Sequence, residues 1–386
     1  MPDSLLIKNA SLYDTHDTTR YDILLDGGKI VRLKPSGEIR QSGAALNAEG
    51  LVAVPGFIDI HIHGAGGADS LDGTAEALET ISRALARTGT TSFLSTMVVK
   101  PGKVNFHLQI AGQYTGKDLG GAELLGIYVE GPFINNAKRG GILSDCITMP
   151  SPELLDRIIT EAGGAIKIMC LAPEIPGNED IIRRLAKYGV IAAFGHSDAG
   201  YEETVRGFDT GISHVTHLFN AMRPLHHRNP GPLAAIFEHP DVSIELISDS
   251  HHVHPSLIKM TWKLSAKNNV VCITDGISGM GLPEGIYEYN NKKYRSENGL
   301  ARYLDGTLIG STMSLGNIAK NFMTFTGADF SQAVDAVTIN PARIIGVDHR
   351  KGSIEPGKDA DIVLTDNNFN IHYTIIAGRT VYQKQS

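Results

Sequence analysis

Two histidines one residue apart, His61 and His63, close the run Val54-Pro55-Gly56-Phe57-Ile58-Asp59-Ile60-His61-Ile62-His63, and Gly64-Ala65-Gly66-Gly67 follows. Residues two apart on a β-strand project to the same face, so these imidazoles would stand side by side at a strand end. Neutral imidazoles converging beside a glycine-rich turn make half of a metal site. Polar strand ends alone would also place two histidines there, so the rest of the chain must decide.

It supplies matching groups. Leu124-Leu125-Gly126-Ile127-Tyr128-Val129 runs straight into Glu130-Gly131-Pro132-Phe133. A carboxylate closing an apolar strand is desolvated unless something pairs with it, a salt bridge or a cation. Ala192-Ala193-Phe194-Gly195 delivers His196, His214-Val215-Thr216 delivers His217, and Val270-Val271-Cys272-Ile273-Thr274 delivers Asp275. Imidazoles and carboxylates together suit a divalent metal. Glu130, His196 and His217 would leave a coordination position open for water. His61, His63 and Asp275 would hold a second ion, with Glu130 bridging two metals about 3.5–4 Å apart. His214, three residues before His217, faces the other way on a strand and reads as a wall or supporting histidine. Of His251, His252 and His254, one is expected to meet substrate. His226, His227 and Arg228 precede Asn229-Pro230-Gly231, and such clustered donors on a loop suit a phosphate, as a guanidinium fork does.

The elements that must gather these groups alternate. Apolar strand candidates fall near 57–62, 91–97, 124–129, 166–171, 190–194, 212–216, 242–247 and 270–274, with amphipathic stretches between most of them. Ser151-Pro152-Glu153 and Asp72-Gly73-Thr74 are helix starts, and Gly89 and Gly189 are stops. Eight strands feeding chemistry at their C-terminal ends describe an α/β fold, a (β/α)8 TIM-type barrel. A doubly wound open sheet is the alternative, but a ring of loops converges ligands from five strands and an open sheet does not. Both ends of the chain read as short strands: Leu5-Leu6-Ile7, Tyr21–Leu25, an Asp26-Gly27-Gly28 hairpin turn, then Ala360–Leu364, Ile371–Ile376 and Thr380–Tyr382. The expected division is a small β-sandwich domain from residues 1–54 and 347–386, and a catalytic barrel over 55–346. Residues 276–310 are expected to form a loop followed by a hairpin.

Composition narrows the class. The 386 residues are 42% hydrophobic and 20% charged with a net charge of -7, which gives no basic surface for nucleic acid or an anionic membrane. Three widely spaced cysteines indicate no disulfide framework, and Cys170 and Cys272 read as small buried hydrophobes. No apolar run approaches about 18–20 residues, and Met1-Pro2-Asp3-Ser4 has no basic stretch leading into an apolar one. The expectation is a cytoplasmic protein.

The order of these motifs resembles the amidohydrolase superfamily and, within it, the N-acetylglucosamine-6-phosphate deacetylases. Besides the segments above, Thr216-His217-Leu218-Phe219-Asn220-Ala221-Met222, His252-Val253-His254-Pro255, Leu308-Ile309-Gly310-Ser311-Thr312, Asn340–Gly346 and Gly352–Asp361 continue the match over nearly the whole chain. The resemblance implies hydrolysis of N-acetylglucosamine 6-phosphate by metal-activated water, with one or two divalent ions, zinc or ferrous iron, per subunit. Glu130, His196 and His217 match the firm metal site, and His61 and His63 a second one. Asp275 matches the catalytic acid/base. Asn220 and Ala221 match a segment meeting the sugar phosphate, and His252 a sugar-binding histidine. Arg228 and His227 match phosphate contacts that reach across a homodimer interface. One departure stands out: relatives carry a Lys-Gly-x-His run whose histidine contacts substrate, whereas Lys138-Arg139-Gly140-Gly141-Ile142 places an isoleucine there. The galacto epimer of the substrate and a non-catalytic sugar-phosphate-binding homologue are the alternative readings. An imide or hydantoin hydrolase is disfavoured, because Leu171-Ala172-Pro173-Glu174 offers no lysine after the fourth strand.

Overall fold

The computed structural model describes residues 4–15, 18–41, 43–289 and 292–385. Met1, Pro2 and Asp3, on which the reading of the N-terminus partly rests, lie outside them. Eight parallel strands form the expected barrel: β1 (Phe57–Ile62), β2 (Thr90–Met97), β3 (Glu123–Glu130), β4 (Ile166–Leu171), β5 (Ile191–Phe194), β6 (Ile212–Val215), β7 (Ser243–Leu246) and β8 (Val270–Cys272). Each strand pairs with the next. Their near-continuous burial matches near-continuous apolar runs, because barrel strands have no solvated face.

A helix follows each strand: α1 (Ala75–Ala86), α2 (Phe106–Tyr114), α3 (Pro152–Glu161), α4 (Asn178–Lys187), α5 (Tyr201–Thr210), α6 (Gly231–Glu238), α7 (Pro255–Leu264) and α8 (Leu315–Thr326). The starts are as read. Thr74 accepts from the Ala77 amide at the head of α1, and Ser151 accepts from Leu154 ahead of Pro152 in α3. Leu78, Ile81 and Leu85 bury the inner stripe of α1 against the barrel.

Strand β8 is too short to complete the ring by a continuous ladder. The seam closes in two pieces. At the C-terminal end, Ile62 bridges Gly276 and the Asp275 amide donates to the His61 carbonyl at 3.0 Å. At the other end, residues 336–337 wedge in, with Ile58 N to Val337 O at 2.8 Å and Cys272 N to Ala336 O at 2.9 Å. Asp59, wholly buried, adds a stitch across the seam by accepting from Thr274 Oγ1 at 2.6 Å.

Both termini build one eight-stranded sheet, ordered Arg379–Gln383, Ile371–Ile376, Ile362–Thr365, Val52–Pro55, Ser4–Leu12, Tyr21–Asp26 and Lys29–Pro35, with Ala44–Asn47 also on Ser4–Leu12. The first strand changes partner midway, pairing Leu5–Lys8 with Ala44–Asn47 and Ser11–Leu12 with Val52–Ala53. The two halves share a core of Ile7, Ile23, Leu25, Ile362, Leu364 and Ile375. Lys351, 4% exposed, sits where this sheet meets the barrel floor. It pairs with Asp361 and with Glu123 at 2.8 Å, while Arg350 grips Glu123 at 2.7 and 3.0 Å. Arg350 also reaches Asp359 at 2.6 Å, so Glu123, Asp359 and Asp361 are all paired with cationic side chains.

One expectation is corrected. After β8 the insertion is a four-stranded antiparallel meander, Gly285–Tyr289, Lys292–Glu297, Leu300–Tyr303 and Leu308–Ser311, rather than a loop and a single hairpin. Asn298-Gly299 and Asp305-Gly306 turn its last three strands. Ile277, Tyr289, Tyr294, Ala301 and Tyr303 give it a small core of its own. Among the described residues no helix is long and apolar enough to cross a membrane. Cys146, Cys170 and Cys272 are buried and unpaired.

Candidate metal centre and active site

The strand ends deliver the expected groups to one place. Glu130 ends β3, and its Oε1 lies 3.0 Å from His196 Nε2 and 3.2 Å from His217 Nε2. Those two nitrogens are 3.1 Å apart. His61 and His63, at the end of β1, stand side by side with ring centroids 5.6 Å apart. Their Nε2 atoms lie 3.6 and 3.4 Å from Asp275 Oδ1, and 3.6 Å from Glu130 Oε1 and Oε2 respectively. Two triplets, Glu130/His196/His217 and His61/His63/Asp275, each keep their ligand atoms within 4.8 Å of one another.

Backbone strain marks the turns that achieve this. His196, His217 and Asp275 adopt φ of 47°, 28° and 47°, the left-handed region that L-residues rarely occupy. Each such residue costs on the order of 1–3 kcal/mol, and the cost persists where packing over-determines it. Gly195 cannot be replaced: a Cβ there would come 2.6 Å from Cys170 Sγ and 2.7 Å from Thr216 Cβ.

The donor set fits a cation. His196 Nδ1 donates to the Lys138 carbonyl at 2.8 Å, so in the neutral ring its Nε2 turns a lone pair toward Glu130 and toward His217. Acceptors facing each other at this range repel unless a cation or protons stand between them. His61 Nδ1 lies 2.9 Å from Glu245 Oε2, and its Nε2 is buried without a hydrogen-bond partner. The electrostatics agree. Burial alone would raise Glu130, but His196, His217 and His63 hold it well below the usual carboxylate range. Burial works to lower His61, yet Glu245, Asp275 and Glu130 raise it to about 10. Asp275 is likewise held low, as His63 and His61 outweigh its desolvation. Anionic oxygens and proton-hungry nitrogens packed this closely favour a divalent ion. Occupancy at a hundredfold excess over Kd stabilises a fold by about 2.7 kcal/mol. Chelation should therefore lower the calorimetric unfolding midpoint by several degrees, and an unchanged midpoint would count against an ion here.

Above the ligands opens a cavity of about 210 Å³, walled in part by Ile142, Asn220, Ala221, His252 and Tyr289. A larger one, about 510 Å³, adjoins it across Val98 and Tyr289 but is lined by none of the expected metal ligands. His252 is held by Asp249 at 2.5 Å through Nδ1 and faces Asp275 Oδ2 at 4.0 Å through Nε2. His251 and His254 are exposed. The Asn220 amide is spent on the backbone carbonyls of His217 and Leu218, at 3.2 and 3.3 Å. His227 and Arg228 do not line this cavity. Both are exposed on the loop after β6, with Arg228 Nη1 2.8 Å from His227 Nε2.

Three residues went unread in the sequence. Glu245, in the middle of β7 and fully buried, bonds His61, His214 and the His217 amide. Asp249 orients His252. Tyr289 arrives from the meander with its ring 6.4 Å from His63. A lone acid inside an apolar strand was a usable signal for Glu245, whereas Tyr289 had none. His214 takes the supporting place expected of it, between Ser243 Oγ at 2.6 Å and Glu245 Oε1 at 2.9 Å.

Comparison with known proteins agrees with this geometry. The profile of the amidohydrolase family matches residues 52–381. The chain is similar to the N-acetylglucosamine-6-phosphate deacetylase of Bacillus subtilis (strain 168), 34% identical over 388 residues covering 99% of this chain and 98% of that one. It is also similar to the N-acetylgalactosamine-6-phosphate deacetylase of Escherichia coli O157:H7, 32% identical over 84% of this chain and 86% of that one. Among solved structures, a mutant N-acetyl-D-glucosamine-6-phosphate deacetylase from Mycobacterium smegmatis in complex with N-acetyl-D-glucosamine-6-phosphate matches with a TM-score of 0.91 and 26% identity. That match covers 99% of this chain and 100% of the other.

Proposed function

This chain belongs to the amidohydrolase family, and on that footing we propose that it removes the acetyl group from N-acetylglucosamine 6-phosphate, giving glucosamine 6-phosphate and acetate. The observation that carries the reading is the convergence of Glu130, His196 and His217 within 3.2 Å at the mouth of the barrel, in a chain whose relatives are named for this reaction. A divalent ion, zinc or ferrous iron by its donors, would be held by these three, and a second by His61, His63 and Asp275. When bound, such an ion supplies Lewis acidity and a water more acidic than bulk water.

The chain's own groups do the rest. Asp275, held ionised by the neighbouring imidazoles, takes the proton of the attacking water and passes it to the departing nitrogen, since an amine leaves far more readily than its anion. His252, fixed through Nδ1 by Asp249, turns Nε2 to a sugar hydroxyl. Asn220 and Ala221 shape the wall beside the sugar. His227 and Arg228 meet the phosphate in the neighbouring subunit of a homodimer. Their exposure, and their absence from the lining of this chain's own cavity, suit that arrangement. Three reduced, buried cysteines suit the cytoplasm.

Ile142, on the cavity wall, has no proton to give a developing oxyanion. Tyr289 does. Burial, then the charges of Asp69, Glu130 and Asp275 together with neighbouring Tyr303, push its phenol well above the usual tyrosine range, so it stays a donor. Tyr289→Phe should lower kcat by about tenfold, the loss of roughly one hydrogen bond, with KM little changed. Steady-state kinetics showing an unaltered kcat would remove Tyr289 from this role.

Acetate release from the two epimeric sugar phosphates, measured side by side, tests the function. The gluco epimer should be preferred. Preference for the galacto epimer would support the second reading, which the Escherichia coli relative favours. No acetate from either, with metal bound, would overturn both.

A further inference from the structure

Beneath the ligand set lies a row of side chains that the reaction does not touch. Ser243 Oγ meets His214 Nδ1 at 2.6 Å, and His214 Nε2 meets Glu245 Oε1 at 2.9 Å. Glu245 Oε2 then meets His61 Nδ1 at 2.9 Å and accepts from the His217 amide at 3.0 Å. His61, His214 and Glu245 are all 0% exposed.

The four candidate imidazole ligands are not backed alike. His196 rests on a neutral carbonyl, that of Lys138. The Nδ1 atoms of His63 and His217 are buried with no hydrogen-bond partner. His61 alone among them has a carboxylate within hydrogen-bond distance of its Nδ1. A carboxylate accepting the far N–H fixes the tautomer, aims the near lone pair and makes the imidazole a stronger donor to a cation. It also adds a negative charge where two dications would repel across a site that water does not screen.

We propose that Glu245 is the positioning residue that lets His61 and His63 hold a second divalent cation, so that ion count in this chain is set from beneath the ligand shell. The proposal rests on the metal reading of the barrel mouth given above, and its test separates the two.

Glu245→Gln is the informative variant. Its carbonyl can still accept from His61 and His217, and its amide can face His214, so shape and hydrogen bonding survive while the charge is lost. Zinc content by elemental analysis, with zinc titration calorimetry, should give two ions for the wild type. For E245Q, the second ion should bind about 10–100-fold more weakly, the usual size of such an effect, with the first ion retained. Glu245→Asp keeps the charge and should hold the second ion more tightly than E245Q. It also serves as the reference if E245Q does not fold: two ions bound in E245D support the proposal, and one ion overturns it. Two ions held equally tightly by wild type and E245Q would overturn the proposal and leave the deacetylase reading standing. Loss of both ions together in E245Q would overturn it in favour of a general structural role. A wild type that binds a single ion would overturn the two-ion reading along with the proposal.

Discussion

Replacing Asp275 with asparagine should reduce acetate release by about 10²–10⁴-fold, the range assigned to a positioned general acid/base. The ion at Glu130, His196 and His217 should remain. The substitution preserves shape, and an amide oxygen can still face His61 and His63, but an amide cannot accept a proton near neutral pH. Asp275 is suited to the task because His63 and His61 keep it ionised in spite of its burial, and because it is 14% exposed at the cavity floor. Metal analysis and acetate assay on one preparation make the test. Full activity with metal bound would remove Asp275 from the chemistry, and loss of the ion at Glu130, His196 and His217 would assign the effect to that site rather than to proton transfer.

The second large effect concerns the phosphate. Arg228→Ala should raise KM for N-acetylglucosamine 6-phosphate by about 100-fold, since a hydrogen bond to a charged group is worth about 1.5–3 kcal/mol. For unphosphorylated N-acetylglucosamine the change should be slight. Equal changes for the two substrates would refute a phosphate contact. Arg228 stands exposed and does not line this chain's cavity, so the proposed homodimer offers a further check. Mixing R228A subunits with D275N subunits should restore part of the activity that each variant lacks, because one hybrid site would have both an intact Asp275 and a neighbour's Arg228.

Much of the site was legible because a barrel converts position along a strand into position in space. Glu130, His196, His217 and Asp275 each follow an apolar run, and His61 and His63 share a strand face, so the strand-end rule gathers them without further information. Glu245 follows a different rule. It lies inside Ser243-Ile244-Glu245-Leu246, not at its end, and its meaning depends on β7 being buried on both faces. In such a strand a carboxylate has no solvated side and must be bonded. Tyr289 was beyond reach for another reason: the meander that carries it pairs non-locally and returns to the cavity only through its own small core. The loop with His227 and Arg228 offered a chemistry but no place, because both residues are exposed and line no part of this chain's cavity. The fold's main departure, a four-stranded insert where one hairpin was expected, traces to two unread turn signals, Asn298-Gly299 and Asp305-Gly306.

Crystals of the protein prepared with zinc, measured at the zinc absorption edge, address the central claim most directly. An anomalous-difference peak should stand among Glu130 Oε1, His196 Nε2 and His217 Nε2. An edge data set with no peak there, from protein that still releases acetate, would contradict it.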